Sequence, residues 1–322
     1  MTRFDNIPEI ALAWHCAGKG AVLATVVQTW GSAPRRVGSQ LAISGEGVIE
    51  GSVSGGCVEG AVVAEALEAL QDGKPRLLEY GVSDGDAFAV GLACGGTIRI
   101  LVQPVGTVMP VDELSQLVAD RAARKPVAYV VDLQTGAGAL EYNGWQDRFR
   151  MDRSGVEEET GKFVAIHNPP LKLIIVGAVH IAQALVPMAE IAGYDIAVID
   201  PRESFARDTR FPGVTLSHDW PDEAVATLGL DSRTAVVLLT HDPKLDDPAL
   251  IAALKSDAFY IGALGSKRTQ ASRAARMTEA GFEPETLTRI HGPVGLDIGA
   301  AGPAEIAVAI LAQMTQVLRK GA

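Results

Sequence analysis

The apolar positions of this chain fall into two regimes. From residue 171 onward, short unbroken apolar runs alternate with longer amphipathic stretches. Residues 172–176 (KLIIV), 196–199 (IAVI), 214–216, 234–239 (TAVVLL) and 258–261 read as strands, and they lack the polar alternation of a half-exposed sheet. Residues 179–192, 221–228, 248–256, 266–280 and 303–319 read as helices between and after them, the first closed by Gly193. Continuous apolar strands separated by helices predict a parallel sheet covered on both faces, a Rossmann-like doubly wound domain. The first half is less regular. Helices are expected over 7–16, 58–70 and 112–124, and strands over 21–28, 97–103 and 126–132, with a hairpin over 40–44 and 47–51. That mixture predicts an α+β domain, so the fold class is α/β overall.

His167-Asn168-Pro169-Pro170 stands between the two regimes. Paired prolines bias a chain to extended backbone and stop helices. The expected domains are therefore 1–168 and 169–322. A length of 322 residues fits two domains at roughly 150 residues each.

Composition narrows the function. With 28 Lys and Arg against 39 Asp and Glu, the chain carries −11, which argues against nucleic acid, whose binding needs a basic face. The N-terminal MTRFDNIPEI lacks the apolar core of a signal peptide, and no apolar run approaches a membrane span of about 18 residues. Three cysteines, Cys16, Cys57 and Cys94, are too few for a disulfide framework. The expectation is a cytoplasmic protein without membrane contact. Glycine is the unusual component: 34 residues, half of them in the first 106.

Those glycines mark the candidate chemistry. Six fall between Gly45 and Gly60, around Gly51-Ser-Val-Ser-Gly55-Gly56-Cys57-Val-Glu-Gly60, just before an expected helix. Glycines at such a place let N–H groups converge on an anion. Cys57 then reads as a reactive or metal-facing sulfur; the plain alternative is a tight turn with a small buried thiol. Cys94-Gly95-Gly96 forms a second cluster, 37 positions on, with no zinc-knuckle spacing. Cys94 could share a site with Cys57 or merely fill core. Arg35 and Arg36, in TWGSAPRR, could clamp an anion or be a solvated pair.

In the second domain, IIVGAVHIAQ follows the first strand. Gly177 and Ala182 fit a dinucleotide fingerprint, whereas Val179 stands where a middle glycine lets pyrophosphate approach. Asp200 ends the next strand, where a ribose-binding acid or a simple cap belongs. His180 opens a helix at the crevice. Thr240-His241-Asp242, Ser266-Lys267-Arg268 and His291–Gly299 follow later strands. Ser266, Lys267 and Arg268 suit phosphate, since ligands of open parallel sheets sit beyond the carboxyl ends of the strands.

With these motifs the chain resembles the XdhC/CoxI family, accessory proteins that mature xanthine dehydrogenase and related molybdenum hydroxylases. The resemblance rests on TWGSAPRRVGSQ, GSVSGGCVEG, LACGG, IIVGAVHIAQAL, VIDPR, LLTHDPKLDDPAL, YIGALGSKRT and IHGPVGLDIGA, in that order. It implies a chaperone, not a turnover enzyme. Such a protein binds the molybdenum cofactor transiently in its molybdopterin form, protects it while a cysteine desulfurase supplies the sulfido ligand, and delivers it to an apo molybdenum hydroxylase. Carried over by motif, Cys57 and Cys94 would meet the metal or dithiolene end. Arg35, Arg36 and the Gly55, Gly56 and Gly95 backbone would face the pterin or its phosphate. Gly177, His180, Asp200, Ser266, Lys267 and Arg268 would line the crevice. The family's turn commonly reads Gly-Ala-Gly-His, so Val179 is a departure that argues against a bound nucleotide. A homodimer is also admitted. Two other readings stand beside this one: an NAD(P)-dependent oxidoreductase using Asp200, and a ligand-gated assembly protein without chemistry.

Overall fold

A computed structural model describes residues 6–33, 35–81 and 96–320. Internal contacts divide the chain between Pro169 and Pro170. The N-terminal unit runs α1 (Ile7–Cys16), β1 (Ala21–Trp30), β2 (Gln40–Ser44), β3 (Ile49–Gly51), α2 (Glu59–Asp72), β4 (Arg76–Tyr80), β5 (Thr97–Pro104), α3 (Val111–Ala122), β6 (Val127–Val131), β7 (Gly138–Glu141), α4 (Gln146–Met151), β8 (Gly155–Val156) and β9 (Phe163–His167). Two antiparallel sheets result, ordered β3-β2-β1-β5-β4 and β7-β6-β9-β8.

The first sheet is buried on both faces, because side chains alternate across a strand. Val22, Ala24 and Val26 of β1 pack with Leu41 and Ile43 against Val62, Ala66 and Ala69 of α2. Those three α2 positions, spaced by four and three residues, form one apolar stripe. On the other face Leu23, Val27, Ala42 and Leu101 meet Leu114 and Leu117 of α3, with Val127, Tyr129 and Phe163 of the second sheet. The β1–β5 register shifts between Val26 and Gln28. Such a bulge bends a strand end, and β1 finishes on a half-exposed Trp30.

The second unit runs β10 (Leu171–Val176), α5 (His180–Ile191), β11 (Tyr194–Ile199), β12 (Thr215–Ser217), α6 (Pro221–Leu228), β13 (Thr234–Leu238), α7 (Pro243–Leu254), β14 (Tyr260–Ala263), α8 (Lys267–Glu279), α9 (Pro284–Leu287), β15 (Ile290–His291) and α10 (Pro303–Lys320). All its strand pairs are parallel, ordered β12-β11-β10-β13-β14-β15. Counted from β10, that is the 3-2-1-4-5-6 order of a dinucleotide-type fold. Leu173, Ile175 and Val237 face α5 and α10, while Ile174, Val176 and Leu238 face α6 and α7. The expected doubly wound α/β architecture is therefore present. One boundary differs. The seventh helix starts at Pro243, not at Pro248, because the Asp242 side chain caps it by accepting the Lys244 N–H at 3.0 Å. Among the described residues, no helix is long and apolar enough to cross a membrane.

Candidate functional site

The loop between β3 and α2 holds Cys57. Gly55 and Gly56 have φ of +78° and +112°, which only glycine adopts without strain. Gly55, Gly56 and Cys57 are exposed, while Val53, Ser54, Val58 and Glu59 on either side are buried. The exposed thiol excludes the buried-cysteine alternative. A Cβ placed on Gly56 would meet nothing within 4 Å among the described residues.

The N–H groups of this loop do converge on an anion, but an internal one. Glu59 Oε1 accepts from the Ser52 hydroxyl at 2.8 Å, the Val53 N–H at 3.2 Å and the Ser54 N–H at 2.9 Å. Its Oε2 accepts from the Gly56 N–H at 2.9 Å and, in a short contact, from the Ser54 hydroxyl. Burial alone would raise the Glu59 pKa. The Ser54 hydroxyl and N–H and the Ser52 hydroxyl outweigh it and hold the carboxyl at about 2. The expectation that the Gly55–Gly56 N–H groups face an external anion is thus corrected: Gly56 donates to Glu59, and Gly55 donates to the Ser52 hydroxyl at 2.9 Å. Glu59 was legible only as the end of GGCVE. The signal for its role is the three-residue step from Gly56 to Glu59, the reach-back of a carboxylate in a helix's first turn.

The arginine pair separates. Arg35 donates from Nε to the Ser52 carbonyl at 3.2 Å, which sets it beside the cysteine loop. Arg36 turns instead to Asp152, 3.5 Å away, on a groove of about 830 Å³ lined also by Gln28, Arg148 and Arg153. The two therefore do not form one clamp. Cys94 and Gly95 lie outside the described residues. Gly96, which follows them, is backed by the Trp30–Ser32 turn: a Cβ there would come within 2.8 Å of the Trp30 carbonyl oxygen. Among the described residues, no group of three or more His, Cys, Asp and Glu could hold a metal ion.

In the second unit the loops meet at the carboxyl edge of the sheet. Gly177 has φ of +108°, and a Cβ on it would lie 2.7 Å from Thr240 Cγ2. Val179 caps α5 with φ of −90°, which needs no glycine, and among the described residues no side chain caps that helix. His180, His241, Lys267 and Arg268 are exposed around this edge. Ser266 is occupied as a cap, accepting the Thr269 N–H at 3.2 Å.

Asp200 is fully buried and engaged at both oxygens. Arg202 donates to it from Nε at 2.8 Å and from Nη2 at 2.7 Å, and the Ala178 N–H donates at 2.9 Å. Burial raises its pKa, but these donors, Arg202 first, bring it below the ordinary aspartate value. Asp200 thus fastens the β10–α5 turn to the end of β11. Beneath the edge lies a buried pair that no sequence motif announced. Arg273 Nη2 stands 3.5 Å from Asp246 Oδ2, the Thr240 hydroxyl donates to Asp246 Oδ1 at 2.6 Å, and Arg273 donates to the Leu264 carbonyl at 3.0 Å.

Comparison with known proteins gives these sites a context. The model described as the XdhC and CoxI family matches residues 14–81, and the one described as the XdhC Rossmann domain matches 173–314. The Escherichia coli molybdenum cofactor insertion chaperone PaoD is 34% identical over 312 residues, covering 97% of this chain and 88% of that protein. A Bacillus subtilis protein described as a probable xanthine dehydrogenase component is 27% identical, over 93% of this chain and 94% of its own length. A crystal structure of a protein named xanthine dehydrogenase, from Bacillus halodurans, superposes with a TM-score of 0.75 at 27% identity, covering 98% of this chain and 96% of that one.

Proposed function

Since this chain belongs to the XdhC and CoxI family, we propose that it binds the molybdenum cofactor as cargo, shields it during sulfuration, and passes it to an apo molybdenum hydroxylase. The observation that carries this reading is the exposed Cys57, on a loop whose backbone is tied down on both sides of it and whose Ser52 carbonyl binds Arg35. A single exposed thiol is a ligand that can be exchanged, which suits a carrier better than a closed multi-ligand cage. The thiolate, not the thiol, is the ligand. Arg35 supplies a cation at short range, which a protein of net charge −11 needs to hold an anionic pterin phosphate. Cys94 and Gly95 are proposed as neighbours of the same cargo, and a cysteine desulfurase and a second copy of the chain as partners. The chain acts here as a maturation factor and does not turn over substrate.

The test is co-expression with an active molybdopterin pathway, followed by assay of molybdenum and pterin per purified chain. Both are expected with the wild type and lost in Cys57→Ser. Absence of both from a folded wild-type protein overturns the reading.

The strand order, with His180, Lys267 and Arg268 exposed at the carboxyl edge, favours a second reading, an NAD(P)-dependent oxidoreductase. The engagement of Asp200 by Arg202 and the side chain of Val179 oppose it. Micromolar NAD(P)(H) binding with substrate-dependent hydride transfer would promote it.

A further inference from the structure

The loop 51–58 carries three glycines, at 51, 55 and 56, and glycine backbone loses the most freedom on being fixed. Such a loop presents a side chain in one place only if something else holds it. Around Cys57 that something is Glu59. The N–H groups of Val53, Ser54 and Gly56 donate to its carboxylate directly. Those of Gly55 and Val58 donate at 2.9 Å to the Ser52 and Ser54 hydroxyls, which themselves donate to the same carboxylate. Cys57 thus has a held residue on each side, Gly56 and Val58. Five donors on one carboxylate exceed what capping a helix requires, which is one or two. Hydrogen bonds to an ionised acceptor are also the strong ones.

We propose that Glu59 is the positioning residue of Cys57: its carboxylate is an internal anion around which the loop is wrapped, so that the sulfur meets the cargo from a fixed backbone. This rests on the reading that Cys57 holds the cargo, and the experiment separates the two.

The probe is molybdenum cofactor freed by heat from a purified molybdoenzyme, mixed without oxygen with the full apo chain. Retained molybdenum and pterin are measured together with hydrogen exchange of the 52–58 amides. Glu59→Ala is expected to retain about tenfold less cargo and to lose amide protection, as when a charge-assisted network is removed. Excess formate, a carboxylate small enough for the vacated nest, is expected to restore both saturably, while neutral formamide restores neither. A Glu59→Ala protein that keeps wild-type cargo overturns the proposal. So does a loss that formate does not restore, since that assigns Glu59 a merely structural part. If Glu59→Ala does not fold, Glu59→Gln carries the test. Its amide would keep one acceptor for Val53 and Ser54 but turn a donor toward the Gly56 N–H, so cargo should fall while the helix persists, and wild-type retention again overturns the proposal. Cys57→Ser is the arm for the underlying reading. If it keeps cargo, that reading fails and the proposal with it; if it loses cargo while both Glu59 variants keep theirs, the positioning role alone fails.

Discussion

Arg202 grips Asp200 with two arms of its guanidinium, Nε to Oδ1 at 2.8 Å and Nη2 to Oδ2 at 2.7 Å, two residues along the same chain. The acid at the end of β11 is thereby turned inward, where it also receives the Ala178 N–H. Asp200 is fully buried, whereas Arg202 is about two-fifths exposed. The two substitutions should therefore differ. Arg202→Ala leaves a carboxylate with two backbone donors and should cost about 1 kcal/mol. Asp200→Ala strands the buried Ala178 N–H at the β10–α5 turn, leaves Arg202 without its carboxylate, and should cost roughly 2–3 kcal/mol. Urea midpoints of the two variants decide; equal losses would mean that the turn does not depend on Asp200.

His167 sets a pH dependence. It is buried at the end of β9, and its Nε2 has no hydrogen-bond partner among the described residues. Burial, assisted by the Arg121 charge and opposed by Asp152, lowers its pKa from 6.5 to about 3. The folded state keeps it neutral, while the unfolded chain takes up a proton below pH 6.5. Stability from this group is complete above that value and is lost on acidification toward pH 3, at about 1.4 kcal/mol per unit. Unfolding free energies between these limits should rise with pH more steeply in the wild type than in His167→Leu, by about one proton. Equal slopes would remove His167 from the account.

The parallel sheet was legible because its strands are buried on both faces: KLIIV has no competing periodicity, and its partners repeat the pattern. Much of the second antiparallel sheet was not. β8 is only Gly155–Val156, and β7 is four residues long with no buried position, too short for a period of two to show. Pro248 read as a helix start because prolines favour the first turn, yet Pro243, behind the Asp242 cap, holds that place. At the site, Cys57 and the glycines were visible as a motif. The occupant of their N–H groups was not, because Glu59 becomes their acceptor only once the loop has folded back over the helix start.

Gly177 predicts a steric failure. Its φ of +108° already disfavours any side chain, and a Cβ would press on Thr240 Cγ2 at 2.7 Å. Gly177→Ala should lower stability by about 2–3 kcal/mol, combining left-handed strain with overpacking. Adding Thr240→Ser removes the offending methyl, and thermal melts should show recovery of the overpacking part alone. No recovery would mean that the backbone conformation carries the whole cost.

Arg35 and Arg36 are adjacent in sequence, yet their partners predict opposite outcomes. Arg35 Nε holds the Ser52 carbonyl, and the Ser52 hydroxyl is one of the five donors on Glu59. Removing Arg35 therefore takes a cation and a brace from the loop that carries Cys57 in one step. Arg36 is two-thirds exposed, and its contact with Asp152 is long at 3.5 Å. Exposed pairs of that kind contribute at most about 1 kcal/mol. If both arginines met one phosphate, either single substitution would cost the same cargo. The geometry instead predicts that Arg35→Ala lowers molybdenum and pterin retention several-fold, with faster hydrogen exchange in 52–58. Arg36→Ala should keep retention within about twofold, since one exposed pair is worth little. Arg35→Lys is the informative third variant. It keeps the charge but has no Nε in the guanidinium plane to reach Ser52, so it should restore retention only to the extent that charge, and not the brace, holds the cargo. Equal losses for Arg35→Ala and Arg36→Ala would restore the shared clamp and refute the division of roles.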